Sequence, residues 1–262
     1  MFSLFHSKPL LDEDSTEWLF NAYTWALWNL GGGAFHENLI LVTPTDRHFP
    51  EQSLNTAEER VAAAFVRVRA YAGMQDWPCE LTALACDMNP VPPLVISSAT
   101  PKDPPGAVSI KEVRPSIPIA FDPGMIRKPH VLIAAFAQQL GYHLGRAIEE
   151  DSPGGEELRG PASDLLAVFM GFGLFMANSA LTVSRGGCSG CSTSVQKLGY
   201  LTEGEFVYAL AIFCVLKNIQ NSEVELHLKK TLRPFFQKAV KEIKKSRSDD
   251  IQKLKTLGTS ID

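Results

Sequence analysis

The run VLIAAFAQQLGYHLGRAIEE, residues 131–150, is the stretch whose reading decides the fold. Leu132, Phe136, Leu140, Leu144 and Ile148 recur four apart, which puts them on one stripe of an α-helix. Gln138 and Tyr142, also four apart, share a second face, with Gln139 beside them. Gly141 and Gly145 interrupt the helix, each at about 1 kcal/mol relative to Ala. Close approach of another backbone would offset that. The expected neighbour is a second apolar helix, DLLAVFMGFGLFMANSA at 164–180, which carries Gly171 and Gly173.

These elements resemble a known pattern. A strand at 117–121, the helix above, an acidic loop and then Ser163-Asp164-Leu165-Leu166 are similar to zincin metallopeptidases of the gluzincin type. The likeness is closer to an uncharacterised bacterial family of similar length, in which an H-E-L-G-H-H-L helix precedes a D-L-L-x-V-F-x-G-F-G-x-F helix. It covers residues 115–215, with weaker likeness before. Leu140, Gly141, His143 and Leu144 match as they stand, and Asp164 falls on the third ligand position. Gln138 replaces the first His, Gln139 the Glu and Tyr142 the second His. The fold this implies is α+β: a zincin-like core with a small, mostly antiparallel N-terminal sheet and helices, followed by a C-terminal helical bundle.

The departures decide the chemistry. In H-E-x-x-H, two imidazoles one turn apart bind zinc and the Glu is the general base. A Gln amide is a poor zinc ligand with no basic form near neutral pH, and a phenol ionises only near pH 10. Asp164 alone cannot hold a catalytic zinc. The resemblance therefore implies a metallopeptidase-like chain that has lost its metal and its base. No catalytic residue, metal or cofactor is assigned. Gln138, Gln139, Tyr142, His143 and Asp164 are expected to line a residual cleft. Two readings compete with this one. His143, Asp164 and Glu156 or Glu157 could form a different metal set, leaving an active hydrolase. Alternatively, the amides and His143 are ordinary polar helix residues bonded to neighbouring backbone.

At 262 residues, with 45% hydrophobic and 21% charged side chains, the chain has the composition of an ordinary globular protein. One domain is expected, subdivided into a strand-rich part at 1–125, a helical part at 126–245 and a flexible basic tail at 246–262. The N-terminus shows neither a basic n-region nor a long apolar h-region. The apolar run 165–177 is shorter than the roughly 20 residues of a membrane span, so a buried helix is expected. Five cysteines without a leader point to a reducing, cytoplasmic setting. The net charge of −4 hides a gradient: residues 229–255 carry ten Lys/Arg against three Asp/Glu. A solvated terminal helix explains such a stretch without a nucleic-acid partner, and no nucleic-acid motif accompanies Lys241, Lys244, Lys245 and Arg247.

Helix-start signals recur as Asp14/Glu17, Thr56/Glu59, Thr202/Glu205 and Ser222/Glu225, opening helices through about residues 30, 71, 216 and 245. Strands are expected at 39–43, 77–85, 95–97, 107–113 and 117–121, the last on an edge because it carries Pro118. The proline-rich run 89–106 reads as a loop within one domain. Residues 185–194 read as a small-residue loop holding a lone C-x-x-C, Cys188 and Cys191, without the second pair a zinc ribbon needs. Cys79, Cys86 and Cys214 sit in apolar contexts and read as core. No P-loop, G-x-S-x-G or dinucleotide fingerprint is present. The functional expectation is a non-catalytic protein that binds a protein or peptide through the residual cleft or through the aromatic first helix, where Trp18, Trp25 and Trp28 cluster.

Overall fold

The structure, a computed structural model, describes residues 8–50, 53–84, 116–185 and 193–257, with backbone alone at 182–185 and 193–196. Cys86, Cys188 and Cys191, the proline-rich run and the strands expected at 95–97 and 107–113 lie outside the described residues.

The first described element is α1 (Glu13–Leu30), whose N-cap is Asp12: its carboxylate accepts the Ser15 N–H at 2.7 Å. Gly31, at φ +86°, ends α1 and leads into the short α2 (Gly32–Asn38). A complete capping box, Thr56 with Glu59, starts α3 (Ala57–Tyr71). Two strands follow, β1 (Cys79–Ala83) and β2 (Ile117–Phe121), then α4 (Pro129–Ala147) with its proline in the first turn.

The second apolar helix is α5 (Arg159–Ala167), a wider turn over Val168–Phe172, and α6 (Gly173–Ser179). Gly171, at φ +96°, kinks it, and the reason is visible. A Cβ on Gly171 would lie 2.0 Å from the Ile40 carbonyl oxygen, and Val42 N–H donates to the Gly171 carbonyl at 3.0 Å. Only a glycine lets the 39–43 segment press so closely on a helix. That segment is extended but is no strand, because its backbone pairs with the helix kink and not with a sheet.

A hairpin of β3 (Leu181–Arg185) and β4 (Thr193–Lys197) leads to α7 (Glu203–Leu216), opened by the Thr202/Glu205 capping box. Nearly every residue of α7 from Phe206 to Leu216 is buried, so it forms the centre of the fold. Around it pack α6, α1, α9 (Arg233–Ser246) and α10 (Ser248–Leu257), with α8 (Asn221–His227) before α9. Of the most apolar window in Gly155–Ser179, 89% is buried inside this core.

The expected sheet is corrected by the observed one. Helix accounts for 66% of the described residues, and among them the N-terminal sheet has two strands that run parallel, Cys79 opposite Ile117 through Ala83 opposite Phe121. The α+β class with a mostly antiparallel N-terminal sheet does not describe this architecture. The reason is one of partners: a strand is stabilised by what it pairs with across long sequence separations, which local pattern does not encode. Two further differences lie at the C-terminus. The helix expected through 222–245 is α8 and α9, restarted at Pro234. Residues 248–257, expected as part of a loose tail, form α10, with Ile251 and Leu254 buried.

Candidate functional site

The site expected from the sequence centres on the contact of α4 with α5, the most extensive helix pairing in the molecule. Gly141 makes this contact possible: a Cβ there would lie 2.4 Å from the Ser163 carbonyl oxygen. Gly145, one turn on, faces only the Leu166 side chain, whose Cδ1 would lie 3.1 Å from a Cβ on this glycine.

Close backbone approach brings Asp164 against α4. Its side chain is fully buried. Oδ2 accepts the backbone N–H groups of Tyr200 and Leu201, the latter at 2.9 Å. Gly199 precedes them at φ +81°, and a Cβ on it would fall 2.6 Å from Oδ2. Thus Asp164 clasps the 199–201 turn to α5 through charge-assisted hydrogen bonds. Its pKa is raised to about 6. Burial drives the rise; the Leu201 and Tyr200 N–H groups, the Gln138 amide and Lys197 oppose it. Gln138 is the residue of α4 that faces this carboxylate, although Oδ1 completes no hydrogen bond of ordinary geometry.

Gln139 points elsewhere, to the outer edge of β2. Its Oε1 accepts the Ala120 N–H at 2.9 Å, and its Nε2 donates to the Ala120 carbonyl at 2.8 Å. The amide behaves as a one-residue strand, satisfying both backbone groups of an edge position. His143, one turn further, faces the Pro118 carbonyl, two residues back along the same edge. Burial lowers its pKa, Arg146 adds to that, and the Pro118 contact works the other way. Tyr142 turns to Arg146, whose guanidinium carbon lies 5.8 Å from the ring centroid and which donates to the phenol oxygen at 3.4 Å.

The expected constellation is therefore divided. Gln138 and Asp164 meet; Tyr142 pairs with Arg146; Gln139 and His143 serve the β2 edge. Glu156 lies in an exposed turn beside Arg159 at 3.5 Å, and Glu157 is exposed. Among the described residues no three His, Cys, Asp or Glu side chains come together. Two concavities, of about 310 and 110 Å³, are lined by other residues. The larger lies among Cys214, Asn218, Lys244 and Lys255, the smaller beside Gly145, Arg146 and Arg159. The participants that sequence reasoning missed are Gly199, Tyr200 and Leu201. Their only local signal is a glycine shortly before a capping box.

On the first helix, the indole N–H of Trp18 donates to the Pro153 carbonyl at 2.8 Å and that of Trp25 to the Glu150 carbonyl at 3.0 Å. Both hold the acidic loop against α1. Trp28 alone stands in solvent, 70% exposed.

We found no protein-family model, no curated protein and no solved structure that matches this chain.

Proposed function

We propose that the protein is non-catalytic and binds a protein or peptide partner in the cytoplasm, a metallopeptidase-like chain whose motif positions have passed to structural work. The observation that carries this reading is the commitment of those positions. Gln139, at the place of a general base, is consumed by Ala120, and the Asp164 carboxylate by the Tyr200 and Leu201 backbone. The Gln139 amide has no basic form near neutral pH, and the fully buried Asp164 carboxylate faces no solvent from which a substrate water could be activated. The exposed indole of Trp28 supports the outer face of α1 as the binding surface, since Trp is enriched where partners dock. The unpaired thiols of Cys79 and Cys214 agree with a reducing compartment.

Two measurements test this. Elemental analysis after dialysis against a weak chelator should find no stoichiometric zinc. A photo-crosslinking amino acid at position 28 should capture a discrete polypeptide in cells, which the same group at the buried Trp25 does not. About one zinc per chain, with peptide hydrolysis abolished by EDTA, would replace this reading by its alternative, an active metal-dependent hydrolase.

A further inference from the structure

The charge of the C-terminal region is not spread evenly over its helices. The buried side of α9 is Phe236, Ala239, Val240 and Ile243. Lys238, Lys241 and Lys245, at i, i+3 and i+7, fall within one narrow sector of the opposite side. Glu242 has the i+4 spacing to neutralise Lys238 but is turned inward, accepting the Leu10 N–H at 3.2 Å and the Tyr208 hydroxyl at 3.1 Å. Among the described residues these three lysines make no ion pair. Lysines on a solvated surface are normally interspersed with carboxylates. Here the only acid of α9 is withdrawn, which leaves the outer stripe of α9 of one sign, with Glu223 and Glu225 confined to α8.

A second observation lies at the head of the same stripe. Leu226 is 74% exposed and Phe235 is 47% exposed. Gln237 Nε2 donates to Glu225 Oε1 at 3.1 Å, tying the end of α8 to the first turn of α9. The two apolar side chains therefore share the α8–α9 corner, with exposed Lys230 in the connecting turn.

We propose that this face of α8 and α9 docks on an anionic lipid surface, with Leu226 and Phe235 entering the headgroup boundary and Lys238, Lys241 and Lys245 lying over the charged headgroups. Charge complementarity selects an anionic partner, and the apolar corner selects a membrane over nucleic acid. Exposed apolar side chains flanked by lysines fit an interface with an apolar depth. The stripe is lysine throughout, a point charge suited to a diffuse surface; bidentate recognition of phosphodiesters favours arginine. This contact is separate from the polypeptide-binding surface around Trp28.

The test is co-sedimentation of the full chain with vesicles of phosphatidylcholine containing about 30 mol% phosphatidylserine, beside vesicles of phosphatidylcholine alone. Binding is expected only to the anionic vesicles, at about 0.1 M salt and not at about 1 M. Lys238→Gln, Lys241→Gln and Lys245→Gln together should weaken it about a hundredfold, at roughly fivefold per charge. Leu226→Ser with Phe235→Ser should weaken it about tenfold. Arg47→Gln, Arg60→Gln and Arg67→Gln, which remove the same charge from another region, should leave it within about twofold. All these positions are outside the core, and equal thermal midpoints identify folded variants. Equal or absent binding to both vesicle types, or equal loss in both triple variants, overturns the proposal. So does retention of a DNA duplex that is lost with the lysine variant while vesicles are ignored, which would assign the face to nucleic acid.

Discussion

The Cβ position of Gly141 lies 2.4 Å from the carbonyl oxygen of Ser163, a separation that leaves α4 and α5 no room for a methyl group. Replacing Gly141 by Ala should cost on the order of 1–3 kcal/mol, because the obstacle is backbone and the helix-propensity gain of about 1 kcal/mol is smaller. At Gly145 the obstacle is the end of the Leu166 side chain, which can rotate away, so Gly145→Ala should be close to neutral. Denaturant unfolding of both variants checks the pair of outcomes. A stabilised Gly141→Ala would show that the two helices do not approach as described.

Asp164 should give the protein an unusual pH profile. Its folded-state pKa is raised from 3.8 to about 6, so the folded protein holds this proton more tightly than the unfolded chain. The resulting stability is fully present below about pH 4 and is lost as pH rises through about 6, roughly 3 kcal/mol in all. His48, His130 and His143, whose pKa values burial lowers, act in the opposite sense: their stability is present above the ordinary histidine pKa and falls away on acidification. Asp164→Asn isolates the first effect. The difference in unfolding free energy between parent and variant should change across pH 4–6 and be flat above 7. Parallel curves throughout that window would contradict the burial of this carboxylate.

Gln139→Glu restores the acid that the metallopeptidase pattern calls for, and it should harm the protein. A carboxylate can accept the Ala120 N–H but has nothing to donate to the Ala120 carbonyl, which is left facing like charge. A loss of about 1–3 kcal/mol is expected at pH 7. Much of it should be regained near pH 4, where the protonated acid can donate. Thermal melts at the two pH values measure this, and an equal loss at both would mean that the amide is not bridging the strand edge.

Removing residues after Arg247 deletes α10. Ile251 and Leu254 leave a core they share with α1 and α7, and each fully buried aliphatic side chain is worth about 1.5–3 kcal/mol. The truncated protein should melt well below the parent, read by circular dichroism. An unchanged midpoint would return this segment to the status of a dispensable tail.

Much of the local structure was legible. The capping boxes at Thr56 and Thr202 start helices where the sequence places them, the apolar stripe of α4 is buried through Leu140, and the glycine of its interior marks the close approach. Cys214 is core and Cys79 half-buried. What was hidden depends on partners far along the chain. Apolar periodicity runs unbroken through Gly171, because pattern carries no information on the sign of φ, and the cause of the kink sits at Ile40. The 39–43 run looks like a strand because apolar, extended backbone does so whatever it pairs with. The β3–β4 hairpin is hidden as well: Leu181 and Val183 do alternate with Thr182 and Ser184, but the run is short and directly continues the apolar helix before it. Pro234 and the spacing of Ile251 and Leu254 were usable signals, outweighed by the density of lysine around them. At the site, the meeting of Gln138 with Asp164 follows from helix faces, whereas the grip of Asp164 on Leu201 and of Gln139 on Ala120 joins side chain to distant backbone, and no spacing rule encodes that.

The first and last described helices are fastened together. Leu10 N–H meets Glu242, Glu13 pairs with Arg247, and α1 lies against α10. For a chain made from its N-terminus onward, the first helix is finished long before its partner exists. At about 5–20 residues per second, the 232 positions between Leu10 and Glu242 take roughly 12–46 seconds to synthesise. Through that interval the apolar side of α1, with Leu19, Tyr23, Ala26 and Leu27, lacks part of its final cover. The packing of α1 against α10 is thus a late event in synthesis, set by the order in which the two helices are made.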